Sequence, residues 1–116
     1  MGRVNSRAKG ARAERAWALF LRDQGFNAKR GCQHNGRDAV TGQDAPDVVC
    51  PELSWAHFEV KHVERLNIQD AIDQAKRDAN DKAPLVAHKR NNCGWLVTMP
   101  AEVFADFLRG DLPPGP

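Results

Sequence analysis

The seven residues AHFEVKH, positions 56–62, alternate side chains with a period of two, which is the period of a β-strand. Ala56, Phe58 and Val60 then share one face, and His57, Glu59 and Lys61 share the other. An apolar strand face has to be covered, so the segment belongs to a sheet with a further layer packed against it. The opposite face is the unusual one. Glu59 and Lys61 are neighbours there, on a strand that its apolar residues send into a core.

The segments around this strand alternate between helical and strand periods. In residues 7–24, Ala13, Trp17, Phe20 and Leu21 fall at i, i+4, i+7 and i+8, one helical stripe ended by Gly25 in a C-cap position. FNAKRGC reads as a short strand. QHNGRDAVTGQDAP is polar, rich in turn formers and without a period, so it reads as a loop. Loops of that length in a small domain are often functional. DVVC and AHFEVKH, separated by PELSW with Pro51 and Ser54 as turn material, are expected to be adjacent antiparallel strands of a hairpin. Ile68, Ala71, Ile72, Ala75 and Ala79 mark a second helix, with Asn67 as its N-cap. PLVAHK and GWLVTM suit buried strands. PAEVFADFLRG is a third helix, with Pro100 at its first turn and Gly110 past its end. The order αβββαββα predicts the α/β class, a small mixed β-sheet flanked by helices.

At 116 residues and 41% hydrophobic, the chain is long enough for one core and too short for two ordinary domains. We read one domain over 1–116, with the basic segment 1–12 and the tail 111–116 flexible. Cys32, Cys50 and Cys93 are odd in number, widely separated and include no CxxC pair, so neither a disulfide framework nor a zinc ribbon is indicated and reduced, buried or half-buried thiols are expected. No apolar run approaches the roughly 20 residues that span a bilayer, and the start lacks the apolar core of a signal peptide. A soluble cytoplasmic protein is expected. Net charge is +2, but residues 1–30 hold eight Lys or Arg against two acids, a local +6 that leaves −4 for the rest. Such a basic segment is an electrostatic footprint for nucleic acid as well as an ordinary solvated helix face, and charge alone does not decide between them.

The charged face of 56–62 gains meaning from Pro46 and Asp47, which open the preceding strand. A hairpin brings the Asp47 carboxylate beside Glu59, and two carboxylates side by side require a positive partner. Hard oxygen ligands of this kind suit Mg²⁺ or Mn²⁺, with positions left for phosphate oxygens. Lys61 then has a chemical task, to orient or help deprotonate an attacking water and to stabilise the charge that grows on a phosphate. For EVK alone an exposed Glu-Lys pair is the commoner occurrence. Joined to PD twelve residues upstream, it becomes the weaker reading.

PD followed by EVK resembles the PD-(D/E)XK nuclease signature, and hence a restriction-endonuclease-like core. The ordered set KGARAERAWALFLRDQGFNAKRG, PDVV, FEVKH and DQAKRDA before PLVAHK resembles, more narrowly, the archaeal-type Holliday junction resolvases and their phage-encoded relatives. The likeness runs from Lys9 to Met99. It implies a metal-dependent DNA endonuclease acting on four-way junctions, with Mg²⁺ as cofactor and Mn²⁺ able to substitute, in the host cytoplasm if the chain is phage-encoded. Rival readings are a flap or restriction-type nuclease of the same superfamily and an inactive DNA-binding module.

The resemblance assigns roles to residues of this chain. Asp47 and Glu59 are metal ligands, the backbone carbonyl of Val60 a third, and Lys61 the catalytic lysine. Glu14 matches the family's acidic residue on the first helix and reaches the ion through water; its place at the edge of the Trp17 and Leu21 stripe lets it face the interior. Gln74 matches a glutamine of the second helix that points to the site, although periodicity alone leaves it on the surface. Arg7, Lys9, Arg12 and Arg30 are the proposed contacts to the DNA backbone, joined by His34 and Asn35 where the family's substrate loop has small hydroxyl residues. His57 shares the Glu59 face, but a lone strand histidine is most often a hydrogen-bonded structural residue and is not placed in the site. Two opposed cuts and one site per chain imply a homodimer, with Phe104, Phe107 and Leu108 of the last helix as the joining surface.

Overall fold

The computed structural model describes residues 6–31, 33–34, 37–38 and 48–111. In chain order it contains α1 (Ser6–Asp23), β1 (Lys29–Arg30), β2 (Gln33–His34), β3 (Arg37–Asp38), β4 (Val48–Val49), a 3₁₀ turn (Pro51–Leu53), β5 (Ala56–His62), α2 (Ile68–Ala79), β6 (Ala83–Lys89), β7 (Leu96–Thr98) and α3 (Ala101–Arg109). This is a three-helix α/β architecture with a mixed sheet.

Glycine ends two of the helices by the same device. After α1, Gly25 adopts φ +100°, its N–H donates to the Arg22 carbonyl, and the Phe26 N–H reaches back to Leu21 at 3.0 Å. After α3, Gly110 (φ +76°) donates to Phe107, and Asp111 donates to Asp106 at 2.9 Å. These paired bonds satisfy carbonyls that a helix end leaves open, and the left-handed conformation they need favours glycine. At the start of α2 the Asn67 side chain accepts from the Asp70 N–H at 3.1 Å, as its N-cap position requires.

β5 and β6 pair in parallel from Ala56 opposite Ala83 to His62 opposite Lys89, and β7 adds antiparallel with Val86 opposite Thr98. Parallel neighbours need a crossover, and α2 is that crossover. The register divides the sheet into two faces. On one, Ala56, Phe58 and Val60 join Ala83, Leu85 and Ala87 in a core completed by Ala13, Trp17, Ala18 and Leu21 of α1 and Val103 of α3. Trp17 is its hub, with ring centroids 5.2 Å from Phe20, 5.4 Å from Phe58 and 5.1 Å from Trp95. On the other face, Val86 packs under Ala71, Ile72 and Ala75 of α2. The alanines let α2 sit close, and Val86 and Ala75 are fully excluded from solvent.

Four expectations need correction. The strand expected to be buried in GWLVTM, β7, is exposed at Leu96 and Val97. β4 does not form a hairpin with β5. Among the described residues it pairs antiparallel with β1, Arg30 opposite Val48 and Lys29 opposite Val49, while β5 pairs with β6. Pro51 has no N–H for a ladder, and Pro51–Leu53 winds into a 3₁₀ turn that carries the chain away from β4 before β5 begins. The segment read as loop contains a hairpin, with Gln33 opposite Asp38 and His34 opposite Arg37. In the sequence an Asn-Gly pair, which favours two-residue hairpins, stands between the two strands at positions 35–36, outside the described residues. Finally, Cys50 is buried as expected but Cys93 is exposed, because it falls in the turn between β6 and β7. Cys32 lies outside the described residues.

Candidate active site

The strand period places His57, Glu59 and Lys61 on the face of β5 that α2 covers. Glu59 is 5% exposed and is the one buried charged residue among those described. Its Oε2 lies 3.5 Å from the Lys61 Nζ, and its Oε1 lies 3.9 Å from the His57 Nε2. In register its neighbour is Val86, so the carboxylate stands beside an apolar floor. A carboxylate is almost never buried so fully without a partner. Lys61 supplies positive charge from one side while keeping a third of its side chain exposed, so its ammonium can also meet an anion arriving from solvent.

A second charged pair joins α1 to β1. Glu14, on α1, accepts a 2.8 Å hydrogen bond at Oε1 from Arg30 Nε on β1. The pair is part-buried and charge-assisted, which makes it one of the stronger side-chain bonds of the fold. The structure therefore brings together Glu59 with Lys61, and Glu14 with Arg30. Gln74 is half-buried on α2, the helix that covers the Glu59 face. Val60 is buried, with its side chain in the α1 core. Lys9 and Arg12 are exposed on α1, Arg7 belongs to the first turn of the same helix, and His34 is in β2. Asp47 and Asn35 lie outside the described residues.

The donor set fits a divalent cation. His57, Glu59 and Asp78, the last from the final turn of α2, bring one ligand atom each within 4.8 Å of one another. Neither His57 nor Asp78 was singled out from the sequence for this purpose. The signals were there: His57 is two residues before Glu59 on the same strand face, and Asp78 is one turn beyond Gln74 on the same helix face.

A family model described as archaeal Holliday junction resolvase (Hjc) matches residues 5–105, which takes in the described elements from α1 into α3. The chain belongs to the archaeal Holliday junction resolvase family. No curated protein and no solved structure matches it. Membership of the resolvase family carries the restriction-endonuclease-like fold, a nuclease activity on DNA and branched DNA as the substrate class. Nucleases of this family generally depend on divalent metal, and the acidic and histidine side chains around Glu59 agree with that. Among the described residues no helix is long and apolar enough to cross a membrane.

Proposed function

We propose that the chain is a divalent-metal-dependent endonuclease that resolves four-way DNA junctions by paired nicks, as a homodimer of one domain spanning 1–116. The observation that carries this reading is the buried Glu59 with Lys61 at 3.5 Å on one strand face, inside a chain whose resolvase match covers residues 5–105. At 5% exposure the Glu59 carboxylate needs compensating positive charge, and a divalent cation beside Lys61 would add to what Lys61 supplies.

Asp47, Glu59 and the Val60 carbonyl are proposed to hold Mg²⁺, with Mn²⁺ able to replace it and Glu14 reaching it through water. The ion supplies Lewis acidity at a phosphate oxygen and a lowered pKa for its water. Lys61 places an ammonium where negative charge grows during in-line displacement, and Gln74 orients the nucleophilic water from α2. Arg30, fixed by Glu14, and the exposed Lys9 and Arg12 with Arg7 give the backbone contacts that position the DNA, together with His34 and Asn35. The dimer is supported by apolar surface on α3, where Phe104, Phe107 and Leu108 are exposed. Two copies on a two-fold axis give two sites for two opposed strands.

The test is cleavage and binding of a four-way junction by single-site variants. Asp47→Ala and Glu59→Ala are expected to abolish cleavage with junction binding intact or stronger, because carboxylates that repel phosphate are gone. Lys61→Ala loses rate and still binds Mg²⁺. Normal cleavage by Asp47→Ala or Glu59→Ala sinks the assignment.

A further inference from the structure

The two oxygens of Glu59 face different partners. Oε2 faces Lys61, and Oε1 faces the imidazole of His57 at 3.9 Å, which is too long for a hydrogen bond. His57 has a side chain nine-tenths buried, and its Nε2 has no solvent and no hydrogen-bond partner. A buried nitrogen left unpaired is costly and rare in folded proteins. The atoms near it are the Glu59 carboxylate and the Asp78 carboxylate from the end of α2, all three ligand atoms lying within 4.8 Å.

We infer that His57, Glu59 and Asp78 form a second cation site, selective for Zn²⁺ over Mg²⁺, which shares Glu59 with the proposed Mg²⁺ site and inhibits cleavage when filled. Imidazole is a donor for Zn²⁺ and similar transition ions, whereas Mg²⁺ takes oxygen ligands and holds its waters. One imidazole and two carboxylates make three protein donors, the number that a Zn²⁺ site with an open position uses, with ligand bonds of about 2.0–2.2 Å. Asp78 is exposed on the last turn of α2, so a change of rotamer closes the remaining distance without moving the sheet. His57 and Glu59 are already fixed by the strand. A Zn²⁺ ion there draws Glu59 toward His57 and competes for the carboxylate that Mg²⁺ needs. The binding claim stands on this geometry alone, and the inhibition rests on the proposed function.

The test uses Co²⁺ as a visible stand-in for Zn²⁺. Co²⁺ is expected to give a ligand-field absorption band with the wild type and with Asp47→Asn, Zn²⁺ is expected to remove the band, and millimolar Mg²⁺ is expected to leave it. His57→Gln and Asp78→Asn are expected to weaken Co²⁺ binding by roughly tenfold or more, the scale on which sites lose metal when their shell is damaged. Asp78 is exposed, so that variant reports even if His57→Gln folds poorly. In cleavage assays with Mg²⁺, added Zn²⁺ stops the wild type, while Asp78→Asn keeps whatever rate it shows without Zn²⁺. A band lost in Asp47→Asn but kept in Asp78→Asn overturns the inference, as does equal Zn²⁺ inhibition of Asp78→Asn and wild type. A chain that cuts no DNA yet shows the Co²⁺ pattern refutes the proposed function and upholds the site.

Discussion

Replacing Glu59 by Gln keeps the shape of the side chain and removes its charge, which separates what the carboxylate does for stability from what it does for metal. Burial of the ion costs several kcal/mol even after relaxation. Lys61 at 3.5 Å offsets this by about 5 kcal/mol at an effective dielectric of about 20, less the screening that its exposed third allows. The two effects nearly cancel. Glu59→Gln is therefore expected to change metal-free stability by no more than about 1 kcal/mol, roughly 4 °C in Tm for a chain of this size. The metal response is different. At an Mg²⁺ concentration of about 100 Kd, binding stabilises the wild type by about 2.7 kcal/mol, roughly 10 °C, and the variant loses that increment. Thermal unfolding followed by tryptophan fluorescence, with and without Mg²⁺, measures both quantities. The reasoning is refuted if Glu59→Gln destabilises the metal-free protein by more than about 3 kcal/mol, the cost of breaking a structural buried pair. It is equally refuted if the variant keeps the full Mg²⁺ shift.

Other expected outcomes concern DNA contact, assembly and pH. Neutralising Arg7, Lys9, Arg12 or Arg30 weakens binding to any sequence and lowers the log-log salt slope by roughly 0.9 per lost phosphate contact; an unchanged slope in all four variants places the DNA elsewhere. Phe104→Glu with Leu108→Glu yields a monomer by analytical ultracentrifugation and turns the product of a cruciform plasmid from linear to nicked circle, whereas a dimer persisting in that variant moves the interface off α3. Burial holds the His88 imidazole below the ordinary histidine range while its Nε2 meets Thr98 Oγ1 at 2.9 Å. A depressed folded value means the contribution is complete above the unfolded value of about 6.5 and is lost as pH falls through the folded one. Tm is thus expected to drop from pH 7.5 to about 5, and His88→Gln to flatten that drop; an equally steep profile in the variant removes His88 as the cause.

Local patterns were readable in the sequence because their causes are local. The alternation of residues 56–62 gave both faces of β5, and the spacing of Ile68, Ala71, Ile72, Ala75 and Ala79 with Asn67 ahead of it gave α2 and its cap. Gly25 and Gly110 marked two helix ends correctly. What escaped depends on partners far along the chain. Nothing near Val48 says that its neighbour is Arg30 rather than β5, since strand pairing is settled by how α1 and β1 pack together. The Glu14–Arg30 bond joins residues sixteen apart, and each was assigned without reference to the other. His57 was legible as a member of the Glu59 face, but its lack of a hydrogen-bond partner depends on surroundings that only the folded chain supplies. Asn35 and Gly36 did carry a local hairpin signal, which the polar, period-free stretch around them obscured.

The central claim is that a buried Glu59 beside Lys61 serves metal-dependent cutting of branched DNA. Its most direct test is a single-turnover assay on an end-labelled four-way junction and on linear duplexes of the same arm sequences, with Mg²⁺ and with EDTA. The account predicts symmetric nicks in opposed strands of the junction in Mg²⁺, far slower cutting of the duplexes, and no cutting in EDTA. Duplex cut as fast as junction, or junction cut in EDTA, contradicts it.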